Sequence, residues 1–269
     1  MNTNTNKYPI EHLSPSSFRL FLNNRFEFYK AYIKGVKNFK TSEAMFTWTV
    51  YHSILEMFYN QEKRDSAFFD MEEEQILSIA NAIEEERENN IDKKDEKRID
   101  RVVASVKKLL TFYQSELPDY KEILGIELLL KNTPKGITIP FKGFVDLVVK
   151  EWDEIILVDH KTVSRFSNKI SPWYMIQANM YYLLYVTEYK QAPKYMYFDE
   201  IKKSKNRDGS PQLRTVKYKY NQKDMVWFAR LLVWTLRQLE VFGDNQDFYL
   251  PNPFDMLNGE QSFLEYIEI

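Results

Sequence analysis

The chain contains no cysteine in its 269 residues. That absence excludes disulfides, thiol nucleophiles, Cys-ligated zinc and Cys-ligated iron–sulfur clusters. Glycine is scarce, at 7 residues, which argues against a Gly-rich sandwich. No apolar run approaches the ~18 residues needed to span a bilayer. The opening M-N-T-N-T-N-K-Y-P is polar and carries no apolar secretory segment. Neither sign of charge dominates, since 37 Lys and Arg stand against 39 Asp and Glu. Such a balance names no partner, because a local groove suffices to hold a polyanion. These absences lead us to expect a soluble, cytoplasmic protein with no membrane association.

What is present is ample core material: 44% of residues are hydrophobic and 16% aromatic. The most informative stretch is Phe141 to Lys161, F-K-G-F-V-D-L-V-V-K-E-W-D-E-I-I-L-V-D-H-K. Two runs of strand-forming residues flank a short polar turn. If Trp152 and Asp153 form that turn, Asp146 lies directly opposite Asp159. Opposed side chains on a hairpin have Cβ atoms roughly 4.5–5.5 Å apart, and like charges there destabilise. Lys161, two residues from Asp159, shares its face. Both aspartates interrupt strongly apolar strands, where an ionised group is expensive unless paired or bound to metal. Hard oxygen ligands favour Mg²⁺ or Mn²⁺. The plainer readings are two aspartates near a solvated sheet edge and, for Lys161, a simple salt bridge to Asp159.

Along the chain, residues 1–13 read as a flexible lead-in. Ser14 with Pro15 opens a helix carrying Phe18, Phe21, Leu22 and Phe26 at helical spacing. Ser42 caps the next helix, which holds His52. Two charged helices, 66–88 and 96–116, are separated by N-N-I-D-K-K-D. Past Pro118 the pattern becomes strand (123–131, with Glu127), hairpin, helix (172–187), two strands (193–201 and 213–220) and a closing helix (225–241). A helical part over 14–117, an α/β core over 118–243 and an irregular tail over 244–269 are expected to form one domain.

Several residues have two readings. Glu127, in I-E-L-L-L, reads as a site carboxylate or as a surface glutamate. A lone His52 on a packed helix is more often a core residue than a ligand. Gly143, three before Asp146, is either strand irregularity or a place of close approach. Gln177 and Tyr181, four apart on a helix, form a surface pair or a platform for a nucleic-acid strand. Lys202, Lys203, Lys205 and Arg207 form a solvated basic loop or a set of phosphate contacts.

Taken in order, these motifs resemble the RecB-like branch of the PD-(D/E)XK nuclease superfamily. The likeness runs through L-S-P-S-S-F-R-L-F at Leu13 to Phe21, His52 with Glu56, the strand glutamate Glu127 and G-F-V-D at Gly143 to Asp146. It continues through D-H-K at Asp159 to Lys161 and Q-A-N-M-Y at Gln177 to Tyr181. The resemblance implies a restriction-endonuclease-like α/β fold, with a mixed central sheet flanked by helices. It also implies a nuclease, and an exonuclease acting on single-stranded DNA ends in recombination, repair or processing is expected. His52, Asp146, Asp159 and the backbone carbonyl of His160 would ligate Mg²⁺ or Mn²⁺. Lys161 would act on the nucleophile and transition state, with Glu127 in a variable catalytic role. Gln177 and Tyr181 would contact DNA near the scissile phosphate.

There are departures from the family pattern. Trp48 stands where relatives often have glycine, four residues before the histidine. The four cysteines that bind an iron–sulfur cluster in many relatives are absent, and the tail around Pro251 to Gly259 is expected to staple the fold by packing instead. No G-x-x-x-x-G-K-[ST] occurs, so any motor is expected on a separate helicase or recombination protein. The alternative function is a catalytically inactive nucleic-acid-binding module on the same fold, and a structural protein with an Asp–Asp–Lys salt-bridge network is a third reading.

Overall fold

A computed structural model describes residues 7–36, 42–87 and 96–251. Seven α-helices and five strands occur among them. They are α1 (Pro15–Asn23), α2 (Arg25–Phe28, continued by a π-helical turn over Tyr29–Ile33), α3 (Glu43–Tyr59), α4 (Glu73–Arg87) and α5 (Glu96–Ser115). Then come β1 (Glu122–Asn132), β2 (Phe141–Glu151), β3 (Glu154–Val163), α6 (Pro172–Tyr189), β4 (Tyr195–Lys202), β5 (Leu213–Lys219) and α7 (Gln222–Phe242). The α/β class and the order of elements hold, except that the first helix, expected to carry Phe26, ends at Asn23 and restarts at Arg25, where Asn24 is extended and caps α2.

Local chemistry sets the helix starts. Ser14 Oγ accepts from the Ser17 amide, and Ser17 Oγ accepts from the Ser14 amide, closing a reciprocal cap ahead of α1. Ser42, Ser171 and Asn221 cap α3, α6 and α7 in the same sense. The helix expected from Ser66 begins only at Glu73. Asp65 instead caps a 3₁₀ turn over Ser66–Phe69, which carries Phe69 into the core. The break N-N-I-D-K-K-D lies outside the described residues.

The sheet runs β1-β2-β3-β4-β5. Only β3 and β4 are parallel, and α6 makes the crossover between them. The sheet is buried on both faces. Phe18, Met180, Leu184 and Leu232 from α1, α6 and α7 meet Val145, Val148, Leu157 and Phe198. On the other face Val50, Ile54, Val106 and Leu109 from α3 and α5 meet Leu147, Val149, Ile156 and Val158. Burying each such side chain contributes about 1.5–3 kcal/mol, which anchors the framework around a polar site. No helix among the described residues is long and apolar enough to cross a membrane.

Both ends of the described chain are held more firmly than their polarity suggested. Tyr8, Ile10 and Leu13, expected in a flexible lead-in, are buried. Leu13 donates its amide to Pro140 O and accepts from Lys142 N, so it bridges to the start of β2. Three apolar residues spaced along a polar segment were enough to dock it. At the other end Tyr249 is fully buried against Phe28, Tyr29 and Phe242, and its hydroxyl donates to Gly243 O. Residues 252–269 lie outside the described residues, and with them nearly all of the stapling segment expected around Pro251 to Gly259.

Candidate active site

The β2–β3 hairpin has the two-residue turn expected of it. Trp152 and Asp153 both have positive φ, 51° and 64°, the pattern of a type I′ turn. The ladder runs from Glu151↔Glu154 to Leu147↔Val158 and stops there. Asp146 and Asp159 would form the next pair. The strands part at that point, and the His160 amide donates to Asp146 Oδ2 at 2.6 Å. A carboxylate thus takes a hydrogen bond where a strand carbonyl would otherwise accept, and the fork opens between two like charges.

β1 turns over at the same level. Glu127 falls between the pairs Ile126↔Leu147 and Leu128↔Val145, opposite Asp146. Its φ is 45°, a left-handed conformation that is strained for a residue with a side chain. Residues two apart on a strand normally share a face. Here Ile126 packs with the α3 side and Leu128 with the α6 side. Likewise Leu147 packs with the α3 side and Val145 with the α6 side. The sheet therefore rolls at Glu127 and Asp146, and the roll brings both carboxylates to the fork.

His52 arrives from α3. Its Nε2 lies 3.1 Å from the His160 carbonyl oxygen. A carbonyl only accepts, so Nε2 carries the proton. Nδ1 then presents its lone pair, 3.6 Å from Asp146 Oδ2. Burial, with His160 and Lys161 nearby, holds the imidazole well below its ordinary pKa, so it is neutral. Ligand atoms of His52, Glu127 and Asp146 all lie within 4.8 Å of one another. Burial, then Glu56 and Asp159, pushes Glu127 up to about 7. Burial, then Asp159 and Glu127, raises the Asp146 carboxyl well above the usual carboxylate range. Two carboxyls and an imidazole lone pair face one another with a shortage of positive charge. This donor set fits a hard divalent cation.

Asp159 is buried beside this cluster. Gln177 Nε2 donates to Oδ1 at 2.6 Å, and Lys161 Nζ lies 2.5 Å from Oδ2. The pairing of Asp159 with Lys161 on one face is as the alternation required. The His160 side chain faces the opposite way, as expected, among Tyr59, Tyr113 and Asp199. Its carbonyl, expected among the metal ligands, accepts from His52 Nε2 and so lies beside the cluster of three.

The remaining expected residues are placed differently from one another. Gln177 lines the cleft and holds Asp159. Tyr181 is 5% exposed and lies over Gly143; a Cβ built there would come within 2.6 Å of Tyr181 Cε1. Tyr181 still borders the cleft, where its hydroxyl accepts from Gln177 Nε2 at 3.4 Å. Lys202, Lys203, Lys205 and Arg207 do not line the cleft. Lys202 bonds to Asn206 and sits over Phe166, while Lys205 borders a separate hollow beside α5. The cleft itself encloses about 940 Å³ between α1, α3, β2 and α6. It is lined by Arg19, Lys142, Trp48, Phe144 and Trp173, none of which was singled out for binding from the sequence. Spacing could have found three of them. Trp48 is four before His52, Trp173 is four before Gln177, and Phe144 is two before Asp146.

A family model for the PD-(D/E)XK nuclease superfamily matches residues 12–246. The chain belongs to that superfamily. Among solved structures it is similar to a "putative exonuclease" from Eubacterium rectale, at 13% identity and a TM-score of 0.54. That alignment covers 91% of this chain and 85% of the other, and it speaks to the shared fold. The protein SSO0001 aligns over 72% of this chain and 86% of its own, at 13% identity and a TM-score of 0.34, too low to bear on the argument. Comparison with curated proteins gives no match.

Proposed function

We propose that the protein is a metal-dependent deoxyribonuclease that hydrolyses phosphodiester bonds, acting as an exonuclease on single-stranded ends in DNA recombination, repair or processing in the cytoplasm. The observation that carries this reading is the convergence of His52, Glu127 and Asp146 at a strand fork, with Lys161 beside them in one cleft. His52, Glu127 and Asp146 would hold Mg²⁺ or Mn²⁺. Such an ion, when bound, supplies Lewis-acid charge for the attacking water and the phosphate.

The chain's own groups do the rest. Lys161 directs an ammonium at the fork, where it stabilises charge developing on the phosphate oxygens. Asp159 aims that ammonium, and Gln177 fixes Asp159. The His160 peptide joins the site from both sides, its N–H on Asp146 and its carbonyl on His52. Asp159 and the His160 carbonyl, each with acceptor lone pairs beyond those used in these contacts, would complete the ligand set. Lys202, Lys203, Lys205 and Arg207, outside the cleft, are left to hold phosphates farther along the DNA. Opening of a duplex falls to a separate helicase or recombination protein.

End-labelled linear single strands, linear duplexes and circular single strands, each with Mg²⁺, Mn²⁺ or EDTA, test the proposal. Metal-dependent shortening of linear single strands, with circles left intact, is expected. Equal attack on circles would overturn the exonuclease reading, and no metal-dependent cleavage of any substrate would overturn the nuclease reading.

A further inference from the structure

Three aromatic rings stand around the carboxylates without taking part in the metal cluster. Trp48 is one helical turn before His52 on α3, with ring centroids 4.1 Å apart. Phe144 is two residues before Asp146 on β2. Trp173 is one turn before Gln177 on α6. All three line the cleft; Trp48 and Phe144 are 38% and 47% exposed, while Trp173 is half-buried and packs partly against the core. Large rings left open to solvent inside a concave polar site are available to a ligand. Two of them carry a cation: Arg19 lies 5.5 Å from the Trp173 ring centre, and Lys142 Nζ lies 5.6 Å from that of Phe144. Among the described residues neither cation has a carboxylate partner. The rings come from three separate elements, so the fold, and no single helix face, assembles them.

We propose that Trp48, Phe144 and Trp173, with Arg19 and Lys142, form a stacking subsite for the unpaired bases that flank the scissile phosphate of single-stranded DNA. The subsite rests on the nuclease reading of the same cleft and adds the groups that would select its substrate. Aromatic rings accept any base face, and the cations beside them neutralise the adjoining phosphates. A duplex keeps its base faces stacked internally and presents none to the rings. Tyr181 borders the same cleft but is nearly buried over Gly143, so the more exposed rings carry the stacking.

The test is binding of a fluorescein-labelled 12-nucleotide single strand, and of a blunt hairpin of matching sequence, followed by anisotropy in Ca²⁺ with the DNA checked for integrity. Phe144→Leu and Trp173→Leu keep apolar bulk and remove the π face. Each should weaken single-strand binding by roughly 5- to 150-fold, while Trp173→Phe stays near the parent. The Mn²⁺-induced rise in melting temperature should persist in all three variants, which shows that the metal cluster is intact. In the parent protein the single strand, and not inorganic phosphate, should quench tryptophan fluorescence; this readout stands whether or not a variant folds. Parent-like binding by folded Leu variants, absence of quenching, or a hairpin bound as tightly as the single strand would overturn the subsite. A parent that binds single strands through these rings but cleaves no DNA in Mn²⁺ would support the subsite and sink the nuclease reading instead.

Discussion

Asp146 is asked to be ionised in a place that resists it. Burial and two neighbouring carboxyls raise its pKa, so without a cation it weakens the fold. Asp146→Asn should therefore leave the metal-free protein at least as stable as the parent, while cleavage falls by about three orders of magnitude or more. Thermal melts in EDTA and rates in Mn²⁺ check the two halves separately. Asp199 shows the same physics behind the site. Burial raises its carboxyl to about 6 from an ordinary 3.8, even though Thr215 and Tyr120 donate to it. A raised folded-state pKa means that the native protein binds the proton more tightly than the unfolded chain does. Stability from this group is thus greatest below pH 4, falls as pH rises from about 4 to about 6, and is level above that. The swing is on the order of 3 kcal/mol. Urea midpoints at pH 4 and pH 7.5 should show that component in the parent and lose it in Asp199→Asn. An unchanged pH dependence in the variant would show that Asp199 titrates normally.

At the scale of elements, the contact between β2 and α6 holds the site in register. Gly143 lets Tyr181 approach the strand, and the same helix presents Gln177 to Asp159. Gly143→Ala places a methyl 2.6 Å from a buried ring edge. Overpacking of that kind typically costs about 1–3 kcal/mol, and the displaced helix should loosen Gln177 from Asp159. Activity should drop by at least tenfold with the Mn²⁺ response of the melting temperature retained. The hairpin was legible in the sequence because its two-residue turn makes the pairing arithmetic unique, but the ladder ends at Leu147↔Val158, one pair short of the expected opposition of Asp146 and Asp159. The roll of β1 and β2 was not legible. Nothing in I-E-L-L-L announces that Glu127 adopts a left-handed φ, because tertiary packing imposes it. Helical spacing places Tyr181 beside Gln177 but does not reveal that it is only 5% exposed. Only charge marks the basic loop after β4 in the sequence, and charge does not say which side of a sheet a loop will flank.

Over the whole molecule, two helical layers close on the sheet from opposite faces, and the cleft opens where β2 and β3 separate between them. The mixed sheet followed from the family resemblance, and the order of helices and strands was readable from hydrophobic periodicity and turn signals. The cleft was not, since its wall combines α1, α3, β2 and α6 from across 170 residues of sequence in ways no local pattern encodes. A ligand that binds only the folded cleft raises the melting temperature by mass action. Mn²⁺ should do so in the parent and fail to in a His52→Ala, Asp146→Ala double variant. The most direct measurement is cleavage of end-labelled single-stranded DNA by the parent, Asp146→Ala and Lys161→Ala, each with Mn²⁺ and with EDTA. We predict metal-dependent cleavage by the parent and none above background by either folded variant. Cleavage by Asp146→Ala or Lys161→Ala at the parent rate, or by the parent in EDTA, would contradict the assignment of this fork as the active site.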